Sequence, residues 1–291
     1  MQQMGELLMK LQGRSASGCD TPAMSQKDFE QWKADNYNAT EGNLNEIDGY
    51  NCELCKNRGY TAKVVQNEQF GYWNETLVPC KCQRIRQAIR RLNRSGLKNI
   101  VKDYTFAKYE CPEAWQQKIK HSAEAFCKDD TSDWFFIGGQ SGAGKTHICT
   151  AIAVHYIKAG KDCRYMLWRD EIARIKASVN DHEAYDQIMR PLKEAPMLYI
   201  DDLFKGGKGD DGKYKPPTAA DVNAAFEIIN YRYNNPGLIT IISSERTLTD
   251  MFDIDEAIAG RITERTKACG YCFNLRKDRS RNWRLKGLDE I

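Results

Sequence analysis

The sequence contains no apolar run that approaches the length of a membrane span. A spanning helix takes about 20 consecutive apolar residues, and charged or polar side chains interrupt every apolar stretch here well before that length. A basic segment followed by an apolar one, the pattern of a secretory signal, is also missing from the first residues. We therefore expect a cytoplasmic protein with no membrane partner.

Histidine is scarce as well. The chain has four histidines, and they form no cluster with the spacing of metal ligands. Cysteine, in contrast, occurs eleven times. In a reducing compartment thiols are metal ligands or buried apolar groups more often than they form disulfides. We therefore expect the cysteines in one of those two roles.

Acidic residues are absent from positions 81–102, which carry eight basic ones, and positions 261–286 carry nine basic residues against two acidic ones. Positions 1–50 show the opposite bias, with four basic and eight acidic residues, so the net charge of the whole chain is only +3. Basic segments of this kind bind polyanions such as nucleic acid. Solvated surfaces show the same bias, so charge alone leaves both interpretations open.

Residues 134–146 predict the central element of the fold. An apolar run breaks at Gly138, the pattern G-x-x-x-x-G-K-T extends from Gly139 to Thr146, and a helical pattern begins near Lys145. Strand, glycine loop and helix in this order are typical of a P-loop. The alternative, a glycine-rich turn without a ligand, is disfavoured by an acidic motif further along the chain.

The chemistry of a triphosphate explains the composition of this loop. Glycine lets successive backbone N–H groups converge on phosphate oxygens, and the start of the helix adds its positive dipole end. Lys145 is expected to reach the β- and γ-phosphates, and the Thr146 hydroxyl is expected to ligate Mg²⁺. The predicted ATP-binding residues are Gly139, Gln140, Ser141, Gly142, Ala143, Gly144, Lys145, Thr146 and His147.

The acidic motif has the form of a Walker B strand. Residues 197–200 form an apolar run that ends in Asp201 and Asp202. In such an element the first acid holds the Mg²⁺ shell and the second polarises the attacking water. The alternative is that the two acids cap the turn after the strand.

Two close cysteine pairs predict a zinc site. Cys52 and Cys55 form a C-x₂-C pair, and Cys80 and Cys82 form a C-x-C pair. Two predicted strands, over residues 60–65 and 72–78, would bring the pairs together. Four thiolates suit a tetrahedral Zn²⁺, and such a site supplies folding energy to a module of about 50 residues. Four free or buried cysteines are the alternative.

The rest of the chain alternates strands and helices, which favours a mostly parallel, doubly wound α/β sheet around the P-loop. A short amphipathic helix over residues 4–11, an arginine-rich helix over 83–99 and an apolar-faced helix over 113–127 precede the P-loop. The lone pair of Cys269 and Cys272 is expected to be structural. The other predicted elements are strands over 164–168, 238–242 and 271–275, helices over 171–178, 218–233 and 247–264, and a mobile loop over 205–217.

Together these residues resemble the AAA+ ATPases, and more narrowly the DnaC/DnaI clade of replicative helicase loaders, especially its phage-borne members. The resemblance rests on the two Walker motifs, on a polar strand end at Ser243 and Ser244, and on the run from Ile254 to Arg265. It extends to the cysteine module and covers most of the chain from Cys52 onward. It implies a bacterial or phage-encoded protein that binds ATP between the subunits of a homo-oligomer and delivers the helicase onto single-stranded DNA.

The resemblance also implies roles for individual residues. Ser244, or Ser243, occupies the sensor-1 position, although the family often has Asn where this chain has Glu245. Arg265, or less favourably Arg261, is the finger that reaches the γ-phosphate of the neighbouring subunit. An arginine supplied in this way couples the nucleotide state to assembly. The alternative is that both arginines lie on a solvated helix end.

Two features suggest how this chain differs from other AAA+ proteins. Many members of the clade have Glu at the position of Asp202, which is shorter by one methylene and would hold water less well. We therefore expect slow ATP hydrolysis, with ATP acting more as an assembly switch than as fuel. No helical lid is expected, because the sequence ends soon after its last predicted strand, which agrees with this clade.

Two domains are predicted for a chain of this length. Residues 1–102, with the zinc module over about 50–83 and a basic linker helix, would bind the helicase, and residues 103–291 would form the AAA+ ATPase. Two alternatives are a transposition helper ATPase of the IstB type that acts on duplex DNA and a zinc-bearing adaptor with little turnover. The DNA contacts expected on the helices that line the assembled ring are Arg169, Arg174, Lys176 and Arg190.

Overall fold

The computed structural model describes residues 24–94, 100–129, 134–207, 215–267 and 270–285. Contacts divide the chain into two compact units, Met1–Gln83 and Arg84–Ile291. The helix predicted over residues 4–11, the centre of the loop predicted over 205–217 and Cys269 lie outside the described residues. The domain boundary proposed after residue 102 stays a prediction.

The N-terminal unit is a helix packed on a β-hairpin. Helix α1 (Gln26–Ala39) begins after Ser25, whose hydroxyl accepts the N–H of Asp28. The side-chain amide of Asn38 bonds both the N–H and the carbonyl of Ala62 on the first strand. This side chain thereby joins the helix to the hairpin. The remaining elements are α2 (Leu44–Asp48) and the antiparallel strands β1 (Tyr60–Gln66) and β2 (Trp73–Pro79).

The C-terminal unit contains a five-stranded sheet in which every neighbouring pair is parallel. The strands are β3 (Trp134–Gly139), β4 (Cys163–Leu167), β5 (Met197–Asp201), β6 (Ile239–Ser244) and β7 (Cys272–Leu275). The strand order is β4-β5-β6-β3-β7, so the P-loop strand β3 lies between β6 and β7, and the Walker B strand β5 lies next to β6. This sheet confirms the predicted AAA+ α/β core.

Helices lie between successive strands of this sheet in the order of the chain. No helix in the described part of the chain combines the length and apolar character needed to cross a bilayer. The helices are α3 (Cys82–Arg94), α4 (Ile100–Asp103), α5 (Ala114–Lys128), α6 (Lys145–Lys158), α7 (Trp168–Ala177), α8 (His182–Glu194), α9 (Ala219–Asn234), α10 (Leu248–Phe252) and α11 (Glu256–Lys267), followed by the 3₁₀ turns Arg279–Arg281 and Trp283–Leu285.

Apolar side chains cover both faces of this sheet. Phe136 belongs to the core cluster that includes residues of α7 to α11 on one face. The neighbouring Phe135 packs edge-on against Phe126 of α5, with ring centres 5.6 Å apart. Successive residues of a strand point to opposite faces. The continuous apolar run of β3 is therefore what a strand covered on both sides requires.

Helices α8, α10 and α11 differ from the sequence-based expectation. Residues 247–264 form two helices rather than one, because the Asp255 carboxylate accepts the N–H of Ile258 at 2.7 Å and caps a new start. The bounds of helix α8 were not predicted, although Arg190 was expected on a helix and Asp181 caps this one. Its inward residues Met189 and Leu192 are fully buried, so tertiary packing stabilises a segment whose local signal is weak.

Arg232 joins α8, α9 and β6. Its side chain is completely buried, and its guanidinium donates to the Thr240 hydroxyl at 2.9 Å and to the Ile239 carbonyl at 2.6 Å. Further bonds go to the carbonyls of Lys193 and Ala195 at the end of α8. A guanidinium offers five donors in a fixed fork. One side chain thus pairs helix-end carbonyls that would otherwise be buried without partners.

We expect Arg232→Lys to lower the free energy of unfolding by about 2–4 kcal/mol, because an ammonium has three donors and leaves buried carbonyls unpaired. Denaturant unfolding measures the change. Arg174→Lys, at an exposed arginine of α7, is the matched control and should change stability little. Equal unfolding midpoints for the two variants would contradict the structural role of Arg232.

Candidate nucleotide site and metal centre

The P-loop forms a tight turn between β3 and α6. Gly139 has a φ of +106°, and a Cβ at this position would lie 2.0 Å from the carbonyl oxygen of Leu275 on β7. Gly144 has a φ of +81° and directly precedes the first residue of α6. Both conformations favour glycine. The positive end of the α6 dipole therefore lies at the loop, as anion binding requires.

A cavity of about 480 Å³ lies against this loop. Its volume is in the range of small-molecule sites. Residues from the P-loop, from the ends of β5 and β6, and from two more distant segments form its wall. The lining residues are Tyr104, Lys108, Tyr109, Glu110, Ser141, Gly142, Gly144, Lys145, Thr146, His147, Asp202, Lys205, Glu245, Trp283 and Arg284.

Lys145 is buried inside the P-loop. Its Nζ donates to the carbonyl oxygens of Gly139 at 3.0 Å and Gln140 at 2.7 Å. Burial lowers the pKa of Lys145, and the charges of Glu245 and Asp202 act in the opposite direction. The ammonium therefore lies beside the cavity, with carbonyl partners that phosphate oxygens can replace.

Hydroxyl groups surround the buried carboxylate of Asp201. Tyr165 donates to one carboxylate oxygen and Tyr199 to the other, each at 2.8 Å. Ser243 also donates to the second oxygen, and the Thr146 hydroxyl lies 3.3 Å from it. Burial, followed by the charge of Asp201, raises the pKa of both tyrosines well above the usual value, so they remain donors. This network fixes the orientation of the carboxylate.

The donor set fits Mg²⁺. A hydroxyl and a carboxylate are oxygen ligands of the kind that this ion takes, and those of Thr146 and Asp201 lie 3.3 Å apart. These two residues would hold the ion. When bound, Mg²⁺ would offset negative charge on the phosphates.

Ser243, rather than Ser244, contacts the two Walker B acids. Asp202 follows β5 with a φ of +60°, and its N–H donates to the Ser243 hydroxyl at 3.0 Å. The Asp202 carboxylate accepts from Lys205 Nζ at 2.7 Å. Burial raises the pKa of Asp202, and the hydrogen bond from Lys205 opposes this effect. Ser244 instead donates to the Leu203 carbonyl at 2.7 Å, and the choice between the two serines for the sensor-1 position stays a prediction.

His147 contacts the segment before α5 rather than the loop. One of its ring nitrogens lies 3.0 Å from the carbonyl oxygen of Thr105. The rings of Tyr104 and Tyr109 pack against it at 5.3 and 5.4 Å. Both tyrosines line the cavity, and the motif search did not identify them. In the sequence, the only indication of these two tyrosines is the aromatic segment that precedes the P-loop strand.

The segment after β7 contacts the P-loop. The Trp283 N–H donates to the Gly142 carbonyl at 3.0 Å, and the Asp278 N–H donates to the side-chain oxygen of Gln140 at 3.0 Å. Trp283 and Arg284 then form part of the cavity wall. No local motif marks these two residues, so sequence reasoning missed them.

Arg261 and Arg265 lie on α11 and do not line this cavity. The Arg261 guanidinium lies 5.1 Å from the ring centre of Phe226 and donates to the Ala257 carbonyl at 2.9 Å. The Arg265 guanidinium lies 5.8 Å from the ring centre of Trp134. A finger acts on the nucleotide of a neighbouring subunit, so this position is compatible with the predicted role, which stays a prediction.

The four cysteines of the N-terminal unit form a buried cluster in which all Sγ atoms lie within 4.8 Å of one another. The Sγ atoms of Cys52 and Cys80 are 3.8 Å apart, and those of Cys55 and Cys82 are 3.5 Å apart. Zn–S bonds of about 2.3 Å in a tetrahedron place sulfurs roughly 3.8 Å apart. Burial acts to raise the pKa of Cys55, but hydrogen bonds from the Gly59 N–H and the neighbouring thiols lower it to about 7. The donor set therefore fits Zn²⁺.

Three of the four predicted DNA contacts form ion pairs. Arg174 and Arg190 each pair with an acid on their own helix, and Lys176 pairs with Asp221 of α9 at 2.6 Å. Arg169 is exposed and lines a second cavity, of about 240 Å³. Since an acid competes with phosphate for a basic side chain, Arg169 is the strongest candidate of the four.

Elemental analysis of the purified chain is expected to give about one zinc per chain, the stoichiometry of a four-thiolate site. Cys52→Ser should lose the metal, because it removes one ligand of the cluster. Cys127→Ser, at a buried cysteine of α5, is the matched control and should retain it. A metal-free chain with a folded N-terminal unit would contradict the zinc assignment.

Known proteins resemble this chain over most of its length. The sequence profile of a family described as IstB-like ATP binding protein matches residues 73–272. The uncharacterised protein YqaM of Bacillus subtilis is 30% identical over 75% of this chain and 69% of its own length. The phage-like element PBSX protein XkdC, also of Bacillus subtilis, is 28% identical over 74% of this chain and 79% of its own.

Helicase loaders are also similar to part of the chain. The replicative helicase loader DnaC of Buchnera aphidicola subsp. Baizongia pistaciae is 27% identical over 39% of this chain and 48% of the loader. Among solved structures, a DnaC helicase loader is 22% identical with a TM-score of 0.45, covering 61% of this chain and 98% of that one. A DnaI structure is 15% identical with a TM-score of 0.47, covering 62% and 91%.

The matched profile spans more than half of the chain and includes the P-loop, the Walker B strand and the run from Ile254 to Arg265. The DnaC relatives and the phage-like relative bear out the resemblance that the motifs carry. The chain belongs to the IstB-like ATP binding protein family and is an ATPase with the AAA+ fold, and part of it is similar to replicative helicase loaders of the DnaC type.

Proposed function

We propose that this ATPase binds a replicative DNA helicase and places it on single-stranded DNA during initiation or restart of replication. Its DnaC relatives are replicative helicase loaders by name. The observation that carries the proposal is the N-terminal unit, which adds a four-cysteine site and exposed apolar side chains to an ATPase.

The N-terminal unit has the character of a partner-binding surface. Of the eleven exposed large hydrophobic side chains in the described chain, eight belong to residues 24–83. Phe70, at the turn of the hairpin, is 69% exposed and stacks on Tyr72 with ring centres 6.2 Å apart. Leu54, between the first two cysteines, is 67% exposed. Contiguous exposed apolar surface, such as that of Phe70 and Tyr72, marks protein-binding sites, and we assign residues 1–102 to the helicase.

The C-terminal unit would supply the nucleotide-dependent step. ATP bound at the P-loop would promote a homo-oligomer in which Arg265 reaches the γ-phosphate of the neighbouring subunit. The oligomer would surround single-stranded DNA, with Arg169 contacting the phosphate backbone. ATP therefore acts in this proposal as an assembly signal, and its slow hydrolysis releases the assembly.

The second candidate is a transposition helper ATPase, which the name of the matched family favours. Such a protein would use the same core on duplex DNA and would need no helicase. The four-cysteine site favours the loader, because two of its four cysteines, Cys52 and Cys55, precede the matched residues 73–272. Binding of the helicase distinguishes the two.

Light-scattering chromatography tests the loader. The full chain, mixed with the replicative helicase from the same source in the presence of ATP and Mg²⁺, should co-elute with it as a complex larger than either protein. Phe70→Ser should weaken this complex about tenfold, because it removes an exposed apolar anchor. Val179→Ser is the matched control, since Val179 is an exposed apolar residue of the ATPase unit.

Further variants separate binding from loading. Lys145→Ala should lose ATP binding, and its complex with the helicase should fail to place the helicase on single-stranded DNA. Absence of any complex with the unaltered chain would refute the loader. ATP-dependent filaments on duplex DNA would then identify the transposition helper.

Arg265→Ala should leave ATP binding by the isolated chain unchanged, while assembly is lost and ATP turnover falls by about 10³-fold, the range measured for arginine fingers. Sedimentation and ATPase assays measure these effects. Lys267→Ala, at an exposed basic residue of the same helix, is the control. Loss of turnover in Arg261→Ala alone would transfer the role to Arg261, and full turnover in both variants would remove α11 from the site.

A further inference from the structure

Glu245 lies in the nucleotide cavity at a position that the Walker motifs do not describe. It follows Ser244, the last residue of β6, and Asp202 follows Asp201, the last residue of β5. These strands are parallel neighbours, so both acids lie at the same edge of the sheet. Both line the cavity beside Lys145. The side chain of Glu245 is 11% exposed, and that of Asp202 is 19% exposed.

Lys205 bridges the two carboxylates. Its Nζ lies 2.7 Å from an oxygen of Asp202 and 3.0 Å from an oxygen of Glu245. The turn that carries it is attached to β6, because the Leu203 N–H donates to the Ser243 carbonyl at 2.9 Å. Asp202, Lys205 and Glu245 therefore form one ion-paired group at the cavity wall. Lys205 offsets the repulsion that two neighbouring carboxylates would otherwise have.

Asp202 alone is poorly suited to reach the attacking water. Its side chain is one methylene shorter than Glu, its backbone has a φ of +60°, and Lys205 occupies one of its oxygens. Glu245 has the additional methylene and lines the cavity from the neighbouring strand. A carboxylate on each of two adjacent strands, joined by a cation, can contact one water between them.

We propose that Glu245 is a second catalytic carboxylate of the ATPase reaction, which orients the attacking water together with Asp202, and that Lys205 is the positioning residue for both acids. In this reaction the water oxygen bonds to the γ-phosphorus, and the bond from that phosphorus to the β,γ-bridging oxygen breaks. ADP leaves with the electron pair of that bond. The water proton passes to the carboxylate pair and then to the released phosphate or to solvent.

Single-turnover hydrolysis, with the full chain in excess over ATP in the presence of Mg²⁺, tests the proposal. Glu245→Gln should slow hydrolysis by about 10²-fold, the usual size of a general-base effect, with the Kd for ATP changed by less than about twofold. Glu227→Gln is the matched control, because Glu227 forms the same type of ion pair, with Lys193 at 2.9 Å, away from the cavity. It should hydrolyse ATP at the unaltered rate.

Lys205 is tested through a conservative variant. Lys205→Met should slow hydrolysis because the two acids lose their shared cation, and Lys205→Arg should restore part of the rate. Lys193→Met, at the control pair, should leave the rate unchanged. Restoration by arginine separates positioning by charge from a merely structural role of the side chain.

A double variant tests whether the acids act on the same water. Residues that act as a unit are not additive, so Asp202→Asn/Glu245→Gln should be no slower than the slower single variant. Multiplied losses would overturn the shared role, as would an unaltered rate in Glu245→Gln or an effect confined to ATP affinity. Glu245→Asp, which retains the charge, should keep part of the rate and tests the assignment if the glutamine variant does not fold.

This inference concerns ATP hydrolysis alone. Its assays contain the chain, ATP and Mg²⁺ and no helicase, so failure of the loader proposal would leave their outcome unchanged.

Discussion

A buried carboxylate destabilises a fold unless hydrogen bonds replace the water that it loses. Asp201 is such a carboxylate, and its donors come from β4, β5 and β6, with the first turn of α6 beside it. Each of these elements therefore contributes to the same small group. The order of the strands decides whether the Asp201 carboxylate finds hydrogen-bond donors. These hydrogen bonds in turn fix the positions of α6 and three strands relative to one another. The nucleotide site depends on this arrangement.

The N-terminal unit depends on a different constraint. Its described core includes the cluster of four cysteines with Tyr50 packed against it, and small modules bury too little apolar surface to be stable alone. If zinc supplies that stability, large apolar side chains are not needed inside. This offers a physical reason why residues such as Leu54 and Phe70 can remain exposed. In the proposed loader, the metal thus makes apolar surface available to a partner.

The sequence predicted those parts of the site that follow from local chemistry. Strand β3, the glycine loop and α6 could be predicted because glycine conformation, helix start and apolar pattern agree along one short segment. The two cysteine pairs were recognisable from their spacing for the same reason. The fold class followed from the alternation of strands and helices, and the bounds of α8 were missed because its stability comes from packing against other elements.

Contacts between distant segments were beyond such reasoning. Tyr165 and Asp201 lie 36 residues apart, and the sequence around one of them does not indicate that it contacts the other. Ser243 and Ser244 are adjacent residues of β6, so their side chains point to opposite faces of the sheet, and only Ser243 contacts the Asp201 carboxylate. The bridge from Lys205 to Glu245 likewise appears only when β5 and β6 are neighbours.

The contact of Trp283 and Asp278 with the P-loop has a consequence for proteolysis. This segment follows β7, and the side chains of residues 276–278 and 280–285 are partly or fully exposed. A protease that cuts between β7 and Asp278 would detach one wall of the nucleotide cavity while the five strands remain paired. Such a nick would reduce nucleotide binding without unfolding the sheet, so a preparation could lose activity and keep its circular dichroism spectrum.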